Sequence, residues 1–273
     1  MNYINVTFSF QPLHPWTDIL VAYLSEINFD SFEEQTYGMN AYISKSDFDK
    51  YKIQAICDAL ECQIDFQYHE LQQDNWNAKW ESSFEPIIID HFCGIRANFH
   101  SPLEVDYELV ITPKMSFGTG HHSTTAGIIK AMRTLDVKQQ NVLDMGCGTG
   151  VLAILAEKMG AKSVLAIDID DWAFRNAQEN IRQNNSQHIH LKKGGSDAIE
   201  GNFDIILANI NRNILLNDLG TYSYHLNSQG TILLSGFYDT DLETITQEAH
   251  KHSLDYHSHF SDKQWTVAHF TKP

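Results

Sequence analysis

Val142-Leu143-Asp144-Met145-Gly146-Cys147-Gly148-Thr149-Gly150-Val151-Leu152-Ala153-Ile154 reads as an apolar strand, a glycine-rich turn and the first turns of a helix. Glycines at alternate positions let the backbone approach a ligand closely. The spacing is GxGxG, not the GxGxxG of dinucleotide sites, and no basic residue falls in or beside it to meet a pyrophosphate. Asp144, just ahead of the turn, suits a cation such as the amino group of a methionine moiety. Asp168 ends the next predicted strand, 22 residues after Gly146, where a carboxylate can accept both hydroxyls of an adenosine ribose. The other use of an acid there is to cap the following helix, and Asp170 or Asp171 is placed for that. Asp197, in Gly194-Gly195-Ser196-Asp197, is a second acid near the adenine position. Asn209, in Ala208-Asn209-Ile210-Asn211, falls at the carboxyl end of the fourth predicted strand, the edge of an open parallel sheet where ligands bind.

A second polar, glycine-containing loop, Ser116-Phe117-Gly118-Thr119-Gly120-His121-His122-Ser123-Thr124-Thr125, precedes an amphipathic helix over Ala126–Leu135. Capping alone would also put threonines at a helix start. The four cysteines, Cys57, Cys62, Cys93 and Cys147, form no CxxC pair and read as reduced thiols, with Cys147 a small filler of the tight turn. Histidines crowd the C-terminus, and His257 and His259 share one face of a predicted strand, but no third ligand is fixed by spacing. His121 and His122 are expected to shape the cofactor pocket, and no metal is expected.

These residues need a scaffold, and the pattern supplies an α/β one. Strands are predicted at 141–144, 163–168, 189–192, 203–208 and 231–235, with helices over 151–159, 171–184, 213–225 and 240–252. Two more strands, 254–260 and 265–271, are joined by Ser261-Asp262-Lys263-Gln264. A terminal hairpin of this kind gives a Rossmann-like sheet of seven strands with an antiparallel edge, as in class I methyltransferases, and not six parallel strands. Ahead of it, residues 1–70 read βαββαβ, with strands at 3–10, 32–37, 40–44 and 63–68, a helix over 15–27 and another capped by Ser46 and Asp47. That order is a ferredoxin-like α+β unit. Residues 71–85 read as a linker helix carrying Trp76 and Trp80 on one face, for packing. Residues 86–273 form the larger domain, with short β-prone segments at 86–90 and 107–111 before the parallel part begins.

The chain has 273 residues, is 42% hydrophobic and 20% charged, and carries a formal charge of −16. That sign opposes approach to a nucleic-acid backbone and suits a basic partner, although acidity also serves solubility. No apolar run is long enough to cross a membrane, and the start lacks a signal peptide's basic and apolar regions, so a cytoplasmic location is expected.

Taken together, Phe117-Gly118-Thr119-Gly120-His121-His122-Ser123-Thr124-Thr125, Leu143-Asp144-Met145-Gly146-Cys147-Gly148-Thr149-Gly150 and Ala208-Asn209-Ile210 resemble the ribosomal protein L11 methyltransferase (PrmA) family. The glycine motif is shared by most class I methyltransferases, whereas the FGTGxHxTT loop is far more specific. The resemblance covers nearly the whole chain. It implies transfer of methyl groups from S-adenosylmethionine to lysine or N-terminal amines of the ribosomal protein, with Thr125, Gly146, Asp168 and Asn209 contacting the cofactor. Phe117, Gly118, Thr119, Asp144 and Gly148 complete the expected pocket, and Asn209 is the expected catalytic residue. Residues 1–70 would recognise the basic ribosomal protein, free or on the ribosome, and the protein is expected to be a monomer without sequence-specific nucleic-acid contacts. Two departures exist: Thr112-Pro113-Lys114 stands where the family usually has Asp-Pro-Gly, and the N-terminal domain matches in layout far more than in residues. Separately, the segment after the fourth strand is not the Asn-Pro-Pro-aromatic form associated with methylation of bases and glutamine side chains. The alternatives are a class I methyltransferase acting on another protein, rRNA or a small molecule, and a non-catalytic ribosome-assembly binder.

Overall fold

The computed structural model describes residues 3–70, 84–112, 114 and 118–273. The expected linker helix and its two tryptophans lie almost wholly outside these residues, as does Phe117. The chain divides into two compact units, Met1–Ala78 and Lys79–Pro273.

In the first unit, β1 (Tyr3–Ser9), α1 (Trp16–Ser25), β2 (Phe29–Gln35), β3 (Gly38–Ser44), α2 (Lys50–Ala59) and β4 (Asp65–Glu70) follow in the expected order. The antiparallel sheet runs β2-β3-β1-β4. Alternation along β1 sends Ile4, Val6 and Phe8 into a core with Leu20, Leu24, Ile53 and Cys57. Burying each large side chain contributes about 1.5–3 kcal/mol. One expectation fails locally. The cap of α2 is Asp49, whose carboxylate accepts the Tyr51 and Lys52 N–H groups. Ser46 and Asp47 lie in a preceding turn where the N–H groups of Asp47 and Phe48 both donate to the Ser44 carbonyl, so the helix starts later.

The second unit opens with a three-stranded sheet: β5 (Ile87–Ile89), β6 (Cys93–Arg96) and β7 (Tyr107–Val110). Asp90 and His91, with φ of 51° and 54°, turn β5 back onto β6. The main sheet follows: β8 (Asn141–Met145), β9 (Ser163–Asp168), β10 (Ile189–Lys193), β11 (Phe203–Asn209), β12 (Leu226–Tyr238), β13 (Asp255–Asp262) and β14 (Trp265–Thr271). Its order is β10-β9-β8-β11-β12-β14-β13, with β14 antiparallel to both neighbours and every other pair parallel. The β13–β14 turn is tighter than expected, because Lys263 and Gln264 take φ of 49° and 71° and close a two-residue turn of the kind that matches strand twist.

Helices α3 (Ser123–Met132), α4 (Val151–Lys158) and α5 (Asp171–Gln183) pack on one face of this sheet, in one core with side chains of β5–β7. Helices α6 (Arg212–His225) and α7 (Leu242–Lys251) cover the other. The sheet is therefore doubly wound, and β8, an interior strand between β9 and β11, delivers the glycine turn to its carboxyl edge.

Candidate functional site

Gly146, Gly148 and Gly150 follow β8 with φ of 68°, 55° and 78°. Only glycine holds three such left-handed positions without strain. At Gly146 the space is taken as well: a Cβ there would lie 2.2 Å from Ile210 Cγ2. Cys147 is buried in the turn, and burial raises its thiol pKa far above the usual value, so it is a filler and not a nucleophile.

Asp168 ends β9 facing this turn. One of its oxygens accepts the Gly148 N–H at 2.8 Å and the other the Asp170 N–H at 2.9 Å. Capping of α5 falls to Asp170, which accepts the Trp172 and Ala173 N–H groups. Asp144 lies beneath the turn, 1% exposed, and accepts the Ala153 N–H from α4 at 3.0 Å. Burial pushes its carboxyl up to about 7, opposed by the Ala153 hydrogen bond and helped by the nearby Asp168 charge.

Asn209 closes β11, and Thr125 lies in the first turn of α3. Both are buried, and Asn209 Nδ2 donates to Thr125 Oγ1 at 3.0 Å, joining residues 84 apart in sequence. Asn209 Oδ1 is buried without a hydrogen-bond partner among the described residues. Such an oxygen carries a desolvation penalty of about 1–3 kcal/mol, and a bound ligand's N–H or O–H would remove it. The sharp bend of β12 at Gly236, φ 97°, brings that strand against the Ile210 carbonyl and walls this edge.

Gly118, φ 99°, leads the second loop, and Thr149 Oγ1 of the glycine turn donates to its carbonyl at 2.6 Å. The two loops are thus bonded to each other. Thr119 bonds His121, whose ring meets Phe84, while His122 caps α3 by accepting the Thr124 N–H and packs edge-on against Trp265. Both histidines therefore serve loop structure. Asp197 sits exposed in a short 3-10 turn, Ser196–Ala198, after β10. Near the C-terminus a bulge between Tyr256 and Ser258 breaks the strand period, so that His257 packs against His269 while His259 meets Tyr256. Among the described residues no three His, Cys, Asp or Glu side chains are grouped to hold a metal ion.

Reasoning from sequence missed Asn180 of α5, which is fully buried and bonds both the Thr149 carbonyl and the Thr112 N–H. Its signal is the series Asn176, Asn180 and Asn184, four apart on one helix face.

The model of the family described as ribosomal protein L11 methyltransferase (PrmA) matches residues 21–273. The chain belongs to the ribosomal protein L11 methyltransferase family. A family member from Bacteroides thetaiotaomicron is 40% identical over 99% of this chain and 100% of its own length. Another, from Porphyromonas gingivalis, is 43% identical over 93% of this chain and 90% of its own. The crystal structure of a ribosomal protein L11 methylase from Lactobacillus delbrueckii subsp. bulgaricus aligns with a TM-score of 0.64 and 30% identity, covering 70% of this chain and all of that one. The fold is that of class I methyltransferases, with the antiparallel β13–β14 hairpin in the place expected from the sequence. Membership in a family of S-adenosylmethionine-dependent methyltransferases names the cofactor, and the glycine turn, Asp168 and the unpartnered Asn209 oxygen are groups that fit it.

Proposed function

We propose that this protein transfers methyl groups from S-adenosylmethionine to lysine side-chain or N-terminal amines of ribosomal protein L11, acting as a monomer in the cytoplasm. The observation that carries the chemistry is Asn209 Oδ1, buried and unpartnered at the sheet's carboxyl edge within one hydrogen bond of Thr125. When bound, S-adenosylmethionine supplies a methyl group on a sulfonium, transferred by in-line displacement. Holding donor and acceptor in line and dry is then the protein's main task.

The residues divide that task. Gly146, Gly148 and Gly118 offer close backbone approach, with Thr119 following Gly118 in the second loop, and Phe117, outside the described residues, is assigned to the pocket on the family resemblance. Asp168, already held by two backbone N–H groups, presents its remaining lone pairs to the ribose hydroxyls. Asp144, buried beneath the turn, acts through its hold on Ala153 and not by direct contact with a ligand. Thr125 fixes the Asn209 amide so that Oδ1 points its lone pairs at the reacting amine. A lysine must lose a proton first, and bringing a pKa of ~10.4 to neutrality costs about 4–5 kcal/mol. A neutral carbonyl acceptor orients the free amine without holding it as an ammonium, as a carboxylate would.

For substrate recognition the proposal assigns residues 1–70. The sheet face opposite their core carries a polar and acidic network in which Thr7 bonds Asn40, while Asn40 and Tyr42 both donate to Glu33. Acidic surface on a chain of net charge −16 suits a basic ribosomal protein and disfavours direct contact with nucleic acid. No helix among the described residues is long and apolar enough to cross a membrane.

The test is to incubate the purified protein with radiolabelled S-adenosylmethionine and ribosomes from a strain lacking this gene, then to locate the label. Label on lysines or the terminal amine of L11 is the expected result. Label only on RNA or on another protein overturns the substrate, and tight cofactor binding without transfer favours the binder.

A further inference from the structure

The glycine turn and the Gly118 loop are joined by two side chains that have no surface open to a ligand. Thr149 and Asn180 are both fully buried. The Thr149 hydroxyl donates to the Gly118 carbonyl at 2.6 Å, and the approach is so close that a Cβ on Gly118 would sit 3.0 Å from that hydroxyl oxygen. The Thr149 carbonyl in turn accepts Asn180 Nδ2 at 2.9 Å, and Asn180 Oδ1 accepts the Thr112 N–H at 2.8 Å. Two points of one chain segment, Thr112 and Gly118, are thereby tied to the same buried pair. One turn further along α5, Asn184 exchanges two amide hydrogen bonds with Val110, at 3.0 and 2.7 Å, as a neighbouring strand would. Glu179 holds Thr112 and Lys114 on the same side. The end of β7 is therefore paired to a line of helix side chains, and that line ends on the cofactor turn.

We propose that Thr149 and Asn180 are a positioning pair that fixes the Gly118–Gly120 loop against the glycine turn, so that cofactor affinity depends on two residues that do not touch the cofactor. The inference rests on the assignment of the glycine turn to S-adenosylmethionine. Its physical basis is pre-organisation: a loop held in its binding geometry before the ligand arrives loses less entropy on binding. The Thr149 hydroxyl is the sensitive point, because it bonds the Gly118 carbonyl of the second loop while the Thr149 carbonyl is held by the helix.

The experiment is isothermal titration of the full-length protein with S-adenosylmethionine and S-adenosylhomocysteine, for wild type, Thr149→Val, Thr149→Ser and Asn180→Asp, with thermal unfolding of each. Thr149→Val keeps the shape and removes the hydroxyl, and should weaken binding of both ligands about tenfold, the worth of one buried hydrogen bond. Thr149→Ser restores the hydroxyl and should bind within about twofold of wild type. Asn180→Asp keeps the acceptor for Thr112 and loses the donor to Thr149, and should weaken binding in the same direction. At saturating cofactor, turnover of Thr149→Val should stay within about threefold of wild type, since the pair sets binding and not the displacement. Wild-type affinity in a folded Thr149→Val, or failure of Thr149→Ser to recover it, overturns the positioning role. A wild type that binds neither ligand overturns instead the cofactor assignment on which the pair depends.

Discussion

Removing the Asn209 side chain separates stability from chemistry in a way the geometry makes quantitative. Asn209→Ala loses the Nδ2 hydrogen bond to Thr125, worth about 1 kcal/mol net. It also removes the buried, unpartnered Oδ1, whose desolvation costs the native state about 1–3 kcal/mol. The two changes oppose each other and leave at most about 2 kcal/mol, so unfolding should shift by no more than about 8 °C in Tm for a unit of this size. Turnover has no such compensation. Loss of a group that orients the reacting amine should lower kcat about 100-fold, comparable to deleting one pre-organised polar contact or misplacing a reactant by an ångström. Differential scanning calorimetry paired with single-turnover methyl transfer reads both quantities on one preparation. Full turnover in the alanine variant, or a loss of stability well beyond the expected few degrees, would refute the assignment of Asn209 as a residue kept for function at a structural cost.

Other perturbations test the rest of the site. In Asp168→Asn one of the two backbone donors, Gly148 or Asp170, meets an amide NH2 instead of an oxygen, and cofactor dissociation measured by titration should rise at least about tenfold with a smaller change in saturated turnover. Gly146→Ala should cripple both folding and binding, because a Cβ would lie 2.2 Å from Ile210 Cγ2 at φ 68°; urea unfolding with an unchanged midpoint would contradict this. For Asp144 the folded carboxyl titrates near 7 against an ordinary 3.8. A raised acid stabilises at low pH and withdraws that stability as pH rises through about 7, by at most about 4 kcal/mol. Asp144→Asn, which still offers an oxygen to Ala153, should therefore gain on wild type as pH rises from about 4 to 7 and keep that gain above it in the cofactor-free protein, and parallel pH–stability curves would count against it.

The parallel sheet was legible because its strands are continuous apolar runs separated by amphipathic helices, and the βαββαβ order because alternation and turns mark each piece. What escaped were features made by distant residues. Strand β6 is four residues with Gly94 inside, a poor strand by propensity; it exists because it pairs with β5 and β7 and because a Cβ at Gly94 would strike Leu103 and Val105. Strand β12 begins and ends beyond its apolar centre, since β11 and β14 extend its pairing to Leu226 and Tyr238. At the site, the glycines, Asp168 and Asn209 could be named from type and position, and Thr125 from the family resemblance. Asn180 could not be weighed, because a mid-helix asparagine reads as surface until β7 is known to lie against it.

The short β5–β7 sheet bears on how the chain could be dissected. Phe84, Ile89, Cys93 and Ile95 share one core with Ile128 of α3 and Ile154 of α4. A fragment cut at the start of the parallel strands would expose that core and lose the platform on which the Gly118 loop begins. The two units divide at Ala78–Lys79, so, on the proposed assignment of recognition to residues 1–70, a different recognition module joined there exchanges the substrate as a cassette while the methyl-transfer unit is carried over whole.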